Sequence, residues 1–410
     1  MESLKFLMVT THYPPFQMGG DAVFVQYLSN ELIKAGHQVE IFYNPSVYGI
    51  IRGHTTETEE HAPGSAPKRH VFKPRFPNIS LLTALSIGYW GTARDRLLSV
   101  AKDFRPDIIH WHNTKGFIGV PFSVQGTVAL YTAHDYYSVC PRSNLIKPRQ
   151  RICDNPRMCQ VCLAKWHKPP QLWRVGNRRP LRFPNDLRVL CPSEFMANRL
   201  RQDRISVYKV LRGFVPDPDR SAITPYLDRN LILFVGIMER RKGPHTLLEA
   251  FAKSRGKHGL RLMMIGDGPL KEELRRRAEA LGIQDRVSIP GFLPRSGLES
   301  ALRSARAMVV PSEWPENAPS TALEAFSFAI PVVGTNLGGL PEMLTKDSGS
   351  MLVQSGSAND LAEAIEWIWS HPDDCRAMGR MARATYETRF SPGVHVKEYL
   401  KIAIEPASHV

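Results

Sequence analysis

Along the whole chain, short apolar runs rich in β-branched residues alternate with longer stretches in which apolar positions recur at helical spacing. In the first half the runs predict strands over residues 4–10, 38–43, 107–112, 127–134, 188–192 and 207–211. In the second half they predict strands over 231–236, 261–266, 287–290, 307–311, 331–335 and 350–353. The intervening periodicity predicts helices, among them one carried by Phe24, Val25, Leu28, Leu32 and Ile33 and ending at Gly36, one over 246–253 and a last one over 393–404. Strand and helix in strict alternation predict parallel sheets covered by helices on both faces, and six strands in each half predict two doubly wound α/β domains.

The punctuation supports that division. A Pro-rich polar stretch, Phe214 to Asp219 followed by Thr224-Pro225, suits an interdomain linker and places the boundary between 213 and 230. A chain of 410 residues also exceeds what one hydrophobic core usually serves. Residues 44–78 and 140–184 lack periodicity and read as insertions. The start of the chain lacks the apolar core of a secretory signal, and the nearest approach to a spanning segment, 79–90, is broken by Ser80, Thr83, Ser86 and Gly88. The expectation is a cytoplasmic protein whose membrane role, where it has one, is peripheral on the cytoplasmic face.

Charge changes the picture in one place. The net charge is +14, and residues 141–182 hold eleven Lys or Arg against the single acid Asp154. Such a segment attracts phosphate, whether on an anionic membrane surface, a pyrophosphate-linked acceptor or a nucleic acid. Nucleic acid is disfavoured, because only Trp166 and Trp173 interleave the basic residues and no known reader motif is present.

In open α/β sheets the ligand loops follow the strands and lead into helix N-termini. After the first strand comes Thr11 to Asp21 with the pair Gly19-Gly20, where backbone can approach a diphosphate closely; Asp21 is the alternative, as a plain helix cap. After the strand 231–236 comes Glu239-Arg240-Arg241-Lys242-Gly243, whose cations would neutralise a departing diphosphate. The densest constellation is Pro315-Glu316-Asn317-Ala318 leading to Glu324, followed by Gly338-Gly339-Leu340-Pro341-Glu342. Paired carboxylates accept hydroxyl donors of a sugar and a ribose. A structural alternative is a capping box, Thr321 with Glu324.

Glu316 and Glu324 seven residues apart, Lys242-Gly243 after a strand, Gly266-Asp267-Gly268-Pro269, Pro311-Ser312 and Gly338-Gly339-Leu340-Pro341-Glu342 occur in order, and together they resemble glycosyltransferase family 4. Upstream, Pro15 to Gly20 and His134-Asp135 resemble that family's N-terminal glycine loop and active-site histidine. The resemblance implies the GT-B fold, two Rossmann-like domains facing a cleft, with an acceptor domain over 1–215, a donor domain over 216–385, and a tail over 386–410 whose helix crosses back to the first domain. It implies a nucleotide-sugar donor, a glycan or lipid-linked acceptor and retention of configuration by front-face displacement, with no protein nucleophile and no cofactor for catalysis. By the same resemblance, Glu324 would hold the donor ribose, Glu316 the transferred sugar, and Arg240, Arg241 and Lys242 the diphosphate. Asn317 and Ala318 lie with them on the donor side, Gly19 and Gly20 approach the diphosphate from the other domain, and His134 lines the reaction centre. One position departs from the family: Ile237 stands where an arginine is usual. It supports the rival expectation of a noncatalytic nucleotide-sugar or glycan-binding protein of the same fold.

Two features lie outside the resemblance or beside it. Asp217-Pro218-Asp219 imitates an Asp-x-Asp metal site but lies in the linker. Cys140, Cys153, Cys159 and Cys162 suit a tetrahedral structural zinc that would order a Pro-rich loop poor in apolar side chains; iron–sulfur ligation or free thiols are the alternatives, and His167 is a spare ligand.

Overall fold

The structure is a computed structural model, and it describes all residues except 1, 17–18, 53–65, 89–90, 116–120, 148–151, 154–158, 176–180, 220–228, 255–258 and 406–410. It divides into two compact units, one formed by residues 1–212 together with 395–410, the other by 213–394.

The first unit is built on a seven-stranded sheet in the order β3-β2-β1-β4-β5-β6-β7, from β1 Lys5–Thr10, β2 Gln38–Tyr43, β3 Lys68–Val71, β4 Ile108–Trp111, β5 Val128–Thr132, β6 Arg188–Cys191 and β7 Lys209–Val210. Every pairing is parallel. Central strands are buried on both faces, so Phe6, Leu7, Met8 and Val9 in β1 form an unbroken apolar run with no exposed surface. Strand β3 is a correction to the pattern reading, which placed its residues in an insertion. Its sequence, Lys-Arg-His-Val, carries no apolar period because it is an edge strand. Side-chain electrostatics hold it: His70 Nε2 lies 2.5 Å from Glu40 Oε2 on β2, and Lys68 Nζ lies 3.6 Å from the same carboxylate.

The second unit carries a six-stranded sheet in the order β10-β9-β8-β11-β12-β13, from β8 Leu231–Val235, β9 Arg261–Ile265, β10 Val287–Gly291, β11 Ala305–Val310, β12 Val332–Thr335 and β13 Ser350–Val353. These pairings are also all parallel. Alternation along β8 sends Ile232 and Phe234 into one apolar layer with Leu247, Phe251 and Ile365. Leu231 and Leu233 go into the opposite layer with Leu323, Phe326 and Phe390. The twelve strands read from the apolar runs are all present, and β3 is the thirteenth among the described residues.

Both sheets reverse their winding direction once, between β1 and β4 and between β8 and β11. At such a switch point neighbouring crossover helices run to opposite faces, leaving a crevice beyond the carboxyl ends of the strands where a ligand can sit. The loops after β1, β4, β8 and β11 are therefore the ones the topology brings together at each unit's own crevice.

The helix Pro392–Ile404 supplies Tyr399, Leu400, Ile402 and Ala403 to the buried interior, and its residues from His395 onward belong to the first unit. Its last turn is fastened by Arg188 of β6, whose guanidinium donates to the carbonyls of Ile402 and Glu405, each at 2.5 Å. A helix end has four carbonyls without partners in the helix, and a buried cation satisfies them well. Arg188→Met should therefore cost about 2 kcal/mol, the usual loss for removing a charged hydrogen-bond donor. A lowered urea midpoint for unfolding of the first unit, measured by circular dichroism, is the expected result.

Candidate active site

In the second unit two glycines bring the loops after β8, β11 and β12 against one another. Gly243 has φ of +68°, and a Cβ there would sit 1.9 Å from the carbonyl oxygen of Pro311. Gly338 has φ of +69°, and its Cβ would meet the Glu316 carbonyl oxygen at 2.4 Å. Only glycine tolerates both the backbone conformation and the approach. Two backbone bonds lock the contacts: Glu313 N to Arg241 O at 2.8 Å, and Gly339 N to Glu316 O at 2.6 Å.

The result is a buried charged centre. Lys242 Nζ lies 2.6 Å from Glu316 Oε1, and Ser312 Oγ donates to the same oxygen at 2.6 Å. Burial by itself would push the Glu316 carboxyl up, but the Lys242 ammonium and the hydrogen bonds from Lys242, Ser312 and Trp314 outweigh it and hold the group below its ordinary value. Glu316 is thus an ionised acceptor in a dry setting. Ser312 is itself fixed, because its carbonyl accepts from Thr335 Oγ1 at 2.8 Å and Ser355 Oγ at 3.1 Å.

Glu324 lies in the helix Ser320–Ser327 and is equally buried, yet its environment differs. Its Oε1 accepts from Arg295 Nη1 at 2.5 Å. Burial raises its pKa, with Arg295 opposing and Glu299 adding to the rise. The capping-box reading is overturned: the helix begins at Ser320, so Thr321 falls inside the first turn instead of before it, and no side chain caps the start. Arg295 was missed in the sequence, where nothing but its place at the start of the helix Arg295–Ser304 after a strand marks it.

The other expected donor residues stand as follows. Asn317 is buried and Ala318 partly so, both directly after Glu316. Arg241 Nε donates to Glu239 at 2.6 Å, and its guanidinium lies 4.7 Å from the Trp314 ring centroid, which Lys242 Nζ approaches to 5.4 Å. Burial would raise the Glu313 carboxyl, but the bonds from His245 and Thr246 outweigh it and hold the group low, and Arg240, itself exposed, adds to the lowering. Two cations therefore follow Ile237 within the same turn as Lys242. The Asp217 carboxylate of the linker pairs with Arg383 at 2.6 and 3.2 Å and Asp219 gives its carbonyl to Arg303, so both ends of the Asp-x-Asp imitation have structural partners.

In the first unit Gly19 is extended, with φ of −178° and ψ of −177°, and the helix Gly20–Lys34 begins at the next residue. Asp21 is therefore in the first turn and is no cap, which corrects the plain-cap alternative. Its Oδ2 accepts from Asn113 Nδ2, from the loop after β4, at 2.9 Å. The same loops gather histidines. His134 Nε2 lies 2.9 Å from His112 Nδ1, with the rings stacked at 5.2 Å, and Phe24 packs edge-on to His134 at 5.3 Å. Behind them His110 is held between Tyr399 Oη at 2.9 Å and Thr132 Oγ1 at 2.8 Å, its ring 3.9 Å from that of His112. Burial depresses the pKa of His134, against the pull of Asp21, and depresses those of His110 and His112 further, each also lowered by neighbouring histidines. The cluster is neutral at physiological pH. Of its members only His134 was read from the sequence; the signal for the rest was the alternation Ile-His-Trp-His in β4 and the loop after it, at positions where a buried strand is otherwise apolar.

The four cysteines lie on a scaffolded loop. An isolated antiparallel bridge pairs Ile146 with Ile152 just before Cys153, and the helix Cys159–Lys165 carries Cys159 and Cys162. All four thiols are free of disulfides. As the side chains stand, no three His, Cys, Asp or Glu residues among those described could hold a metal ion, so zinc is an expectation of the spacing alone.

Comparison with known proteins covers both units. Residues 18–210 match the model described as Glycosyltransferase Family 4, and residues 217–385 match Glycosyl transferases group 1. An uncharacterized glycosyltransferase of Methanocaldococcus jannaschii is 24% identical over 381 residues, covering 90% of this chain and 89% of the relative. A D-inositol 3-phosphate glycosyltransferase of Paenarthrobacter aurescens is 26% identical over 406 residues, covering 91% and 89%. Among solved structures, Anabaena HepE in complex with UDP-glucose superposes with a TM-score of 0.67 at 16% identity, covering 97% of this chain and 99% of that one.

The histidine cluster sets a pH limit on the first unit. Burial pushes His395, whose Nδ1 donates to the Arg212 carbonyl at 2.7 Å, down from 6.5 to about 4. The unfolded chain binds that proton more readily, so the stability from a neutral His395 is complete above about 6.5 and is lost as pH falls toward about 4. The loss is on the order of 3 kcal/mol from this residue. His395→Asn, which keeps a donor for the carbonyl, should flatten the fall in melting temperature over that window in thermal scans.

Proposed function

Because the chain belongs to the family-4, group-1 glycosyltransferases and has their GT-B fold, we propose that it moves a sugar from a nucleotide-sugar donor to a hydroxyl of a glycan or lipid-linked acceptor, with retention of configuration. The observation that carries the donor half is the triangle that the partly exposed Lys242 forms with the buried Glu316 and Ser312. An ammonium that still reaches solvent, held 2.6 Å from a buried ionised carboxylate, is matched to a ligand with phosphate at one end and hydroxyls at the other. In this reading the donor inserts by exchange: its diphosphate takes over Lys242, and a sugar hydroxyl donates to Glu316. Arg240 and Arg241 add charge to the diphosphate side in place of the arginine that Ile237 replaces. Glu324, fixed by Arg295, accepts from the ribose hydroxyls.

The chemistry needs no nucleophile from the chain. The bond from the anomeric carbon to the leaving phosphate oxygen breaks, the acceptor oxygen bonds to the same face, and its proton passes to the departing diphosphate. Cations that bind the diphosphate more tightly as its charge grows stabilise the transition state more than the ground state. His134 is suited to donate to or accept from a sugar hydroxyl as a neutral imidazole, its pairing with His112 fixing the ring. Gly19 and the start of the helix Gly20–Lys34 offer backbone N–H groups to phosphate. The binding-only alternative loses its support, since a family of transferases accounts for both units and two further cations stand beside Lys242.

Glu316→Gln should lower turnover by about 100-fold or more, with Lys242→Met raising donor KM as well, in an assay of nucleoside diphosphate release from a donor panel. Wild-type turnover in Glu316→Gln would overturn the assignment. The rate should be indifferent to EDTA.

The two carboxylates also predict a pH profile. Glu324, with a raised pKa, protonates before Glu316 as pH falls, so donor KM should rise on the acid side at a pH above the ordinary carboxylate range. Glu324→Gln should have a high KM throughout and lose that acid limb.

A further inference from the structure

The helix Pro77–Ile87 is anomalous for the surface of a folded unit. Its eleven residues, PNISLLTALSI, include no charge, and only Ala84 is buried. Ile79 is 63% exposed, Leu82 54% and Ile87 53%, and Phe76, just before the first turn, is 58% exposed. At 100° per residue these four fall within an arc of about 140°, so they form one continuous apolar stripe facing out.

A second element extends the stripe. The short turn Leu172–Arg174 docks on the C-terminal end of this helix, where Trp173 Nε1 donates to the Leu85 carbonyl at 3.0 Å. Gly88, with φ of +72°, leaves room for the Trp173 ring, which a Cβ would meet at 2.5 Å. The docking sets Leu172, 59% exposed, and Val175, 53% exposed, beside the helix. Isolated exposed apolar residues are ordinary, but six on two interlocked elements are not.

The charge around the stripe identifies what covers it. Residues 61–94 contain Lys68, Arg69, Lys73, Arg75 and Arg94 and no Asp or Glu, and the segment 141–182 that supplies the docked turn has its eleven cations to one acid. Lys73, Arg75 and Arg94 flank the helix and are exposed, as are Lys165 and Lys168 on the segment leading to the docked turn; Arg75 also stacks on Phe76 with its guanidinium 5.4 Å from the ring. A second copy of the chain would bring the same cations face to face and be repelled. A surface that is apolar at its centre and cationic at its rim matches a bilayer with anionic headgroups, the apolar side chains entering the acyl boundary and the cations meeting phosphate. Among the described residues no helix is long and apolar enough to cross a membrane.

We propose that residues 76–87, with Leu172 and Val175, are a docking site for an anionic lipid bilayer, which seats the first unit on the membrane surface. The site uses no residue placed in the donor machinery, and its test needs no nucleotide sugar, so its failure would leave the transferase reading untouched.

The full chain is sedimented with vesicles of phosphatidylcholine alone and with added phosphatidylglycerol, at low and high salt. Wild type should pellet with the anionic vesicles, more weakly as salt rises. Ile79→Ser with Leu82→Ser should reduce partition by about tenfold or more at either salt. Lys73→Glu with Arg75→Glu should abolish the salt dependence, and both variants should keep the wild-type melting temperature, because the altered side chains are exposed. Wild type left in the supernatant with every vesicle, or serine variants that pellet like wild type, would overturn the proposal. So would a wild-type dimer in sedimentation velocity that the serine variants dissociate, since the stripe would then be covered by a second copy.

Discussion

A carboxylate shut away from water stays ionised only when a cation and hydrogen-bond donors replace its hydration, and Glu316 has all of them. Much of the second unit's loop architecture is the means of delivering those partners. Lys242 arrives because Gly243 turns left-handed against the Pro311 carbonyl; Ser312 arrives because Thr335 and Ser355 hold its backbone; Glu316 is pinned from behind by Gly339. The parallel sheet makes this affordable in sequence terms. Loops from the adjacent strands β8, β11 and β12 converge beside the switch point between β8 and β11, so each needs to contribute only one or two residues.

The two glutamates show how one residue type serves two ends. Both are buried and both have a cation within hydrogen-bond distance, yet burial wins at Glu324 and loses at Glu316. The difference is the count of donors. Glu316 accepts from Lys242 and Ser312 and is also stabilised by Trp314, whereas Glu324 has Arg295 and the opposing charge of Glu299. In the first unit the same logic runs with imidazoles, where burial among other imidazoles keeps each ring uncharged.

The fold was legible wherever burial writes a pattern. Strands buried on both faces leave apolar runs, and all twelve such runs became strands. Strand β3 escaped because an edge strand paired through Glu40 needs polar side chains, so it looks like a loop. Of the candidate site residues, Lys242, Glu316 and Glu324 in the second unit and His134 in the first were marked by their order along the chain. Arg295 and Tyr399 take their places only through folding and no local spacing marks them, while His110 and His112 left only the alternation of polar rings in a strand otherwise apolar. The capping box misled for a related reason, since Thr321 and Glu324 fit its spacing while the helix start, which decides it, is set by Pro319 and Ser320.

The chain leaves the first unit after Arg212 and re-enters it at His395, so the second unit is in effect a 182-residue insertion into the first. During synthesis the strands of the first sheet emerge before the second unit, but Tyr399, which bonds His110, and the carbonyls that receive Arg188 emerge only after it. The unit begun first is thus finished only after the second. Until the second unit has been made, His110 on β4 lacks Tyr399 and Arg188 on β6 lacks its two carbonyls, and the half-built sheet must wait, or be sheltered, while the whole of its neighbour is assembled.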